Sequence, residues 1–213
     1  MYDSVTPSLI PKDAQMVAGY ITGKYAWTAS DWDMFPNATK VHINVDPTIY
    51  HGHVLDVEPG DATAQQAVQW VKKMREMGTD PTLYTGWYYP DVTGYNSHWD
   101  AVKAAFDQAG VAQPHYWVAN WTTSNTIPAG AVAIQWKNVP NTYDVSNVQD
   151  YWAGVDPISK APTTPVTVSP IPPKTTDDIT SLQSQMNQDI QNLTYYANKI
   201  KASVDAINQK LKG

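Results

Sequence analysis

Short runs of β-branched and aromatic residues recur between Val17 and Ser146, and two stretches of helical spacing separate them. Val17–Ile21, Val41–Val45, Val54–Val57, Thr82–Thr85, Tyr116–Ala119, Val132–Trp136 and Tyr143–Ser146 read as strands. Asp61 is positioned to cap a helix running to Gly78, with Ala64, Ala67, Val68, Val71 and Met74 on one face. Ser97 is positioned to cap a second helix, with Val102, Ala105, Phe106 and Ala109 inward and Gly110 closing it. Strands alternating with helices predict an α/β domain with a largely parallel sheet. This number of strands predicts a small (β/α) barrel of the TIM-like kind, with one or more outer helices missing.

Composition divides the chain. All nine Trp lie between Trp27 and Trp152, and prolines crowd the segment from Pro157 to Pro173. Beyond it no Trp, Pro or Gly occurs before Gly213. The expected organisation is an N-terminal arm over 1–16, a barrel over 17–156, a Pro-rich linker over 157–175 and a helix over 176–213. Proline fixes φ and removes backbone donors, so the linker is expected to be extended and semi-rigid. In the tail Ile190, Ala197, Val204 and Leu211 form one seven-residue series. Ile179, Met186, Leu193, Ile200 and Ile207 form the other, and Gln183, seven residues before Ile190, is the polar intruder of the seam. That seam predicts a coiled coil and a homo-oligomer, with isoleucine at both positions favouring a trimer.

The net charge of −6 comes without a basic stripe, which argues against nucleic acid as a partner. Cysteine is absent, which excludes disulfides and thiolate chemistry. No stretch has the length and apolarity of a membrane span, so no membrane partner is expected. Residues 1–16 lack the cationic and apolar regions of a secretory signal, which predicts a protein carried on a virion or released by lysis. The aromatic set is 9 Trp and 13 Tyr against 2 Phe. Rings with a polar handle suit both sugar stacking and a Trp-rich core, and composition leaves the two open.

The stretch from His53 to Gly60 reads HVLDVEPG. Side chains two apart on a strand share a face, so Asp56 and Glu58 point one way and Leu55 and Val57 the other. Pro59-Gly60 ends the strand, placing both carboxyls at the C-terminal mouth, where barrel enzymes hold their sites. Paired carboxyls of which one keeps its proton suit glycoside hydrolysis. Asp46, Tyr20, Tyr84, Trp87, Trp117, Asn120, Trp121, Gln135 and Trp136 lie at strand ends and are the candidate substrate-binding residues, with Asp144 on the last strand as a third acid. Trp70 and Trp99 are assigned to packing. His51 and His53 form a possible metal pair, but no third ligand stands at a suitable spacing, so no metal site and no cofactor are expected.

Five segments, LDVE at 55–58, LYTGWYY at 83–89, YWVANW at 116–121, AIQW at 133–136 and YDVS at 143–146, occur in an order that resembles the family 25 glycoside hydrolases, the muramidase type. The likeness is closer to a divergent actinobacterial and phage branch. It implies Glu58 as general acid, Asp56 as electrostatic or nucleophilic partner, Asp144 as stabiliser of the reacting sugar, and the β-1,4 links of bacterial cell-wall glycan as substrate. The family carries an aspartate near the end of its first strand. The first run read here, residues 17–22, has Tyr20 there instead, with Asp46 on the next strand as a possible substitute. Two functions follow as expectations. One is a peptidoglycan-directed hydrolase displayed as an oligomer. The other is a catalytically impaired sugar-binding or structural virion protein, in contact with other virion proteins and built on the same barrel.

Overall fold

The computed structural model describes residues 1–87, 95–121 and 124–162, and these form a closed eight-stranded barrel with few helices. The strands are β1 (Tyr2–Asp3), β2 (Met16–Tyr20), β3 (Thr39–Asn44), β4 (Val54–Asp56), β5 (Thr82–Gly86), β6 (His115–Ala119), β7 (Ala133–Val139) and β8 (Tyr143–Val148). Consecutive strands from β1 to β7 pair in parallel, whereas β8 runs antiparallel to both β7 and β1 and closes the cylinder. A parallel neighbour needs a long crossover but an antiparallel one only a hairpin. The β7–β8 connection is such a hairpin, and Asn141 adopts φ 60° in its turn.

One expectation needs correction here. Residues 1–16 are not a separate arm, because Tyr2 and Asp3 form the first barrel strand, in register with Val17 and Ala18 on one side and Val145 and Asp144 on the other. A strand of two residues has no periodicity to read; its place is set by the two edges it joins.

The helices are α1 (Ala29–Asp33), α2 (Ala64–Glu76) and α3 (His98–Gln108). Ser97 caps α3 as expected, its side chain accepting from the Asp100 backbone N–H. The cap of α2 is Thr63 rather than Asp61: Thr63 and Gln66 form a reciprocal capping box that satisfies two otherwise orphaned N–H groups. Gly78, at φ 80°, follows the end of α2 in the left-handed region that suits glycine.

Alternating side chains sort into layers. Leu55, Val57, Leu83, Tyr116 and Val118 point outward beneath α2 and α3, joined by Trp70 and Trp99 as packing residues. Val17, Trp27 and Phe35 form a second outer cluster. Ala18, Val54, Tyr84, Trp117, Ala133 and Trp152 fill the interior. Trp152 closes the end away from the C-terminal mouth, donating its indole N–H to Thr82 Oγ1 at 2.8 Å. Trp117 sits above it, 6.2 Å between ring centroids, and donates to Ser146 Oγ at 3.0 Å. The barrel is thus a packed core rather than a pore. Of the expected linker, the structure describes 157–162, including a 3₁₀ turn at Ile158–Lys160. The remainder of the linker, the 176–213 coiled coil with its trimer, and Tyr88 and Tyr89 lie outside the described residues.

Candidate active site

Strand parity brings acids from separate strands to one mouth. Asp3 ends β1 and Asp56 ends β4, both at C-terminal strand ends; Asp144 enters near the start of the reversed strand β8, at the same end. Asp3 and Asp144 are register partners across β1 and β8. Asp56 is the partner of Tyr84 across β4 and β5. Glu58 stands two residues past Asp56, and its negative charge raises the pKa of Asp56, Asp3, Tyr20 and Tyr84, so it faces the same chamber. The expected set of Asp56, Glu58 and Asp144 is therefore brought together, and Asp3 is added to it.

Crowding and burial raise the pKa of Asp3, Asp56 and Asp144. Burial, the Asp144 carboxylate and then Glu58 push Asp3 up to about 7, against the opposing pull of a hydrogen bond from Gln135 and the nearby amino group of Met1. Asp56 is held well above the ordinary carboxylate range by burial first and then by Glu58, Asp61 and Asp3. Asp144 is raised by burial, partly offset by the Asn138 amide, which donates to its Oδ1 at 2.6 Å. One carboxyl oxygen of Asp3 and one of Asp56 are buried without a hydrogen-bond partner. The phenols of Tyr20 and Tyr84 are likewise raised, by burial and then by the surrounding acids.

Gln135 ties the floor together. It is 1% exposed. Its Oε1 accepts from Tyr84 Oη at 3.1 Å and from Trp121 Nε1 at 2.8 Å, while its Nε2 donates to Asp3 Oδ2 at 3.0 Å. Trp121 is 62% exposed, so an indole fixed from below presents a free face at the rim. Beside the acids a cavity of about 380 Å³ opens along the hairpin, lined by Asp3, Ser4, Tyr20, Asn138, Tyr143 and Asp144 among others. No lysine or arginine lines it among the described residues.

The other sequence candidates scatter. Asp46 does not join the acids: its carboxylate is spent in its own turn, accepting from the Thr48 backbone and hydroxyl at 2.9 and 2.7 Å, which lowers its pKa. It takes no part in the mouth, to which Asp3 brings a carboxyl from the first strand. Trp117 is fully buried below the mouth and belongs to the core. Trp87 packs on the outer cluster, 5.8 Å from Trp99. Trp136 is the extra residue of a β-bulge, with Lys137 Nζ 5.9 Å from its ring. Asn120 keeps a buried, unpartnered Oδ1 next to Trp121. The bulge also explains why Asn138 escaped the sequence reading: it resets parity, so Asn138 pairs with Asp144 although it lies three residues from Gln135. Among the described residues no group of three or more His, Cys, Asp or Glu side chains is arranged to hold a metal ion, and no helix is long and apolar enough to cross a membrane.

No family model, curated protein or solved structure matches this chain.

Proposed function

We propose that the barrel is a glycoside hydrolase-like module of the muramidase type, acting on the β-1,4 links of bacterial cell-wall glycan, and borne on a virion as an oligomer through 176–213. The observation that carries the reading is the meeting of Asp3, Asp56, Glu58 and Asp144 at the C-terminal mouth beside an open cavity. Barrel enzymes place their chemistry at that end, and glycoside hydrolysis needs one carboxyl that gives a proton and one that faces positive charge. Asp3 stands on the first strand, and the family 25 glycoside hydrolases carry an aspartate on theirs, which supports the reading. In the proposed reaction Glu58 protonates the leaving glycosidic oxygen. Asp144 or Asp56 opposes the charge that develops on the sugar ring, and water completes hydrolysis. Trp121 offers a stacking face, and the absence of lysine and arginine from the cavity lining among the described residues favours an uncharged sugar there.

The test is release of reducing ends from purified cell walls. Wild type is expected to exceed Glu58→Gln by about 10²-fold or more. Equal release by both proteins removes Glu58 from the mechanism.

One observation favours the second reading, a sugar-binding module without turnover. Asp56 is buried and its pKa is raised by burial and by Glu58, which favours the neutral form, and a neutral acid neither attacks nor stabilises a cation. Under that reading wild type and Glu58→Gln both bind cell-wall glycan and neither releases reducing ends.

A further inference from the structure

We propose that Gln135 is the positioning residue of this mouth, a single buried amide that both orients the Asp3 carboxyl and holds the exposed Trp121 indole at the rim. The inference rests on the sugar-directed reading only for the use of Trp121; the coupling itself needs no substrate.

The argument follows from donor and acceptor inventory. Tyr84 Oη and Trp121 Nε1 both donate to Gln135 Oε1, and an indole N–H can only donate. The amide oxygen is therefore fixed toward them, and its nitrogen is left facing Asp3 Oδ2. Because Oδ2 accepts from that N–H, a proton on Asp3 resides on the other oxygen, Oδ1, which is buried and has no partner among the described residues. The amide thus decides which oxygen of Asp3 donates and which accepts. The same amide oxygen supplies the only hydrogen bond recorded for the Trp121 side chain among the described residues. Its register sustains this: Gln135 is opposite Ala119 on one side and Ser146 on the other, so it cannot turn out of the barrel without breaking the sheet. A mouth floor and a rim aromatic at separate strand ends are in this way locked by one side chain.

Three variants separate the two arms. Gln135→Met keeps length and loses both; Gln135→Glu keeps an acceptor for Trp121 but gives no N–H to Asp3; Trp121→Phe keeps a ring and loses only the indole bond. Carboxyl-carbon NMR follows Asp3, tryptophan indole N–H NMR follows Trp121, and binding of chitotetraose, an uncharged N-acetylglucosamine oligomer, reads the rim. Asp3 is expected to titrate at higher pH in Gln135→Met and Gln135→Glu and as wild type in Trp121→Phe. The Trp121 indole proton is expected to shift in Gln135→Met and to stay hydrogen-bonded in Gln135→Glu. Chitotetraose is expected to bind about five- to tenfold more weakly to Gln135→Met, with affinity restored in Gln135→Glu to within about twofold of wild type. An Asp3 titration unchanged in both Gln135 variants, or a Trp121 signal unmoved in Gln135→Met, overturns the proposal. Trp121→Phe alters a surface ring and keeps the Asp3 arm measurable should a Gln135 variant fail to fold: a shifted Asp3 titration there also overturns it. A protein that releases no reducing ends and binds no chitotetraose, yet shows both NMR effects, sinks the glycan reading and leaves the coupling in place.

Discussion

Asp3 and Asp144 lie opposite each other on the antiparallel β1–β8 pair, so two carboxyls from the first and last strands share one face of the closing seam. Like charges so placed repel, and burial adds to the cost of ionising either.

The first prediction concerns pH. Folding holds a proton on Asp3 up to about pH 7, whereas the unfolded chain releases it near 3.8. Between these values the folded state binds more protons, so stability falls as pH rises from about 4 to about 7 and stays at the lower level above that. Asp3→Asn removes the titration and keeps an oxygen for Gln135. In urea unfolding the variant should exceed wild type by on the order of 2–4 kcal/mol at pH 8, with the gap closing toward pH 4. A gap independent of pH would show that Asp3 ionises normally in the folded protein.

His53 should act in the opposite sense. Its imidazole, stacked on His42 with centroids 4.9 Å apart, is lowered to about 4 by burial and by the neighbouring histidines. The folded state stays neutral while the unfolded chain takes up a proton below about 6.5, so stability is lost as pH falls from 6.5 toward 4. His53→Asn retains an acceptor for the His42 backbone N–H, which donates to His53 Nδ1 at 3.0 Å. Measured in the Asp3→Asn background, which removes the opposing slope, the variant should lose about 1–3 kcal/mol less across that window. Equal slopes with and without His53 would exclude it as a source of acid sensitivity.

Gly19→Ala should destabilise without touching an acid. A Cβ at Gly19 would lie 2.6 Å from Cε2 of the Trp27 indole. That indole cannot slide freely, because its Nε1 donates to Ser4 O at 3.0 Å and the Trp27 backbone N–H donates to Tyr20 O at 2.8 Å. A loss of about 1–3 kcal/mol in thermal or urea unfolding is expected. An unchanged midpoint would mean that Trp27 can shift at little cost.

Two tryptophans four residues apart should behave differently. Trp121→Ala removes an exposed ring, so unfolding should change by less than about 1 kcal/mol while glycan binding weakens about tenfold. Trp117→Phe leaves the Ser146 hydroxyl without its indole donor inside the barrel, and should cost about 1–3 kcal/mol in stability. Glycan affinity unaffected by Trp121→Ala would remove that ring from the binding surface.

Much of this arrangement was legible from residue order. The strands from Val17 onward, the Ser97 cap and the outward packing of Trp70 and Trp99 follow from local periodicity and hydrogen-bonding chemistry. The shared face of Asp56 and Glu58 follows from the two-residue repeat of a strand. Asp3 was not legible, because a two-residue strand is defined by the edges it bridges. Asn138 was hidden by the bulge at Trp136, which breaks the alternation from which its direction would be read. Asp46 could have been set aside, since an aspartate two residues before a threonine commonly closes a local turn. Trp117 and Trp121 are indistinguishable by composition; only their depth along the barrel separates core from rim.

The bulge at Trp136 acts as a half-step in the strand's alternation. Were the alternation to run unbroken past Gln135, Trp136 would stand opposite Val145 and Lys137 opposite Asp144, exchanging a neutral amide for an ammonium at the inward position. A lining free of cations among the described residues thus depends on the bulge, and a one-residue slip that irons it out offers this chain a route to anionic ligands that needs no new side chain.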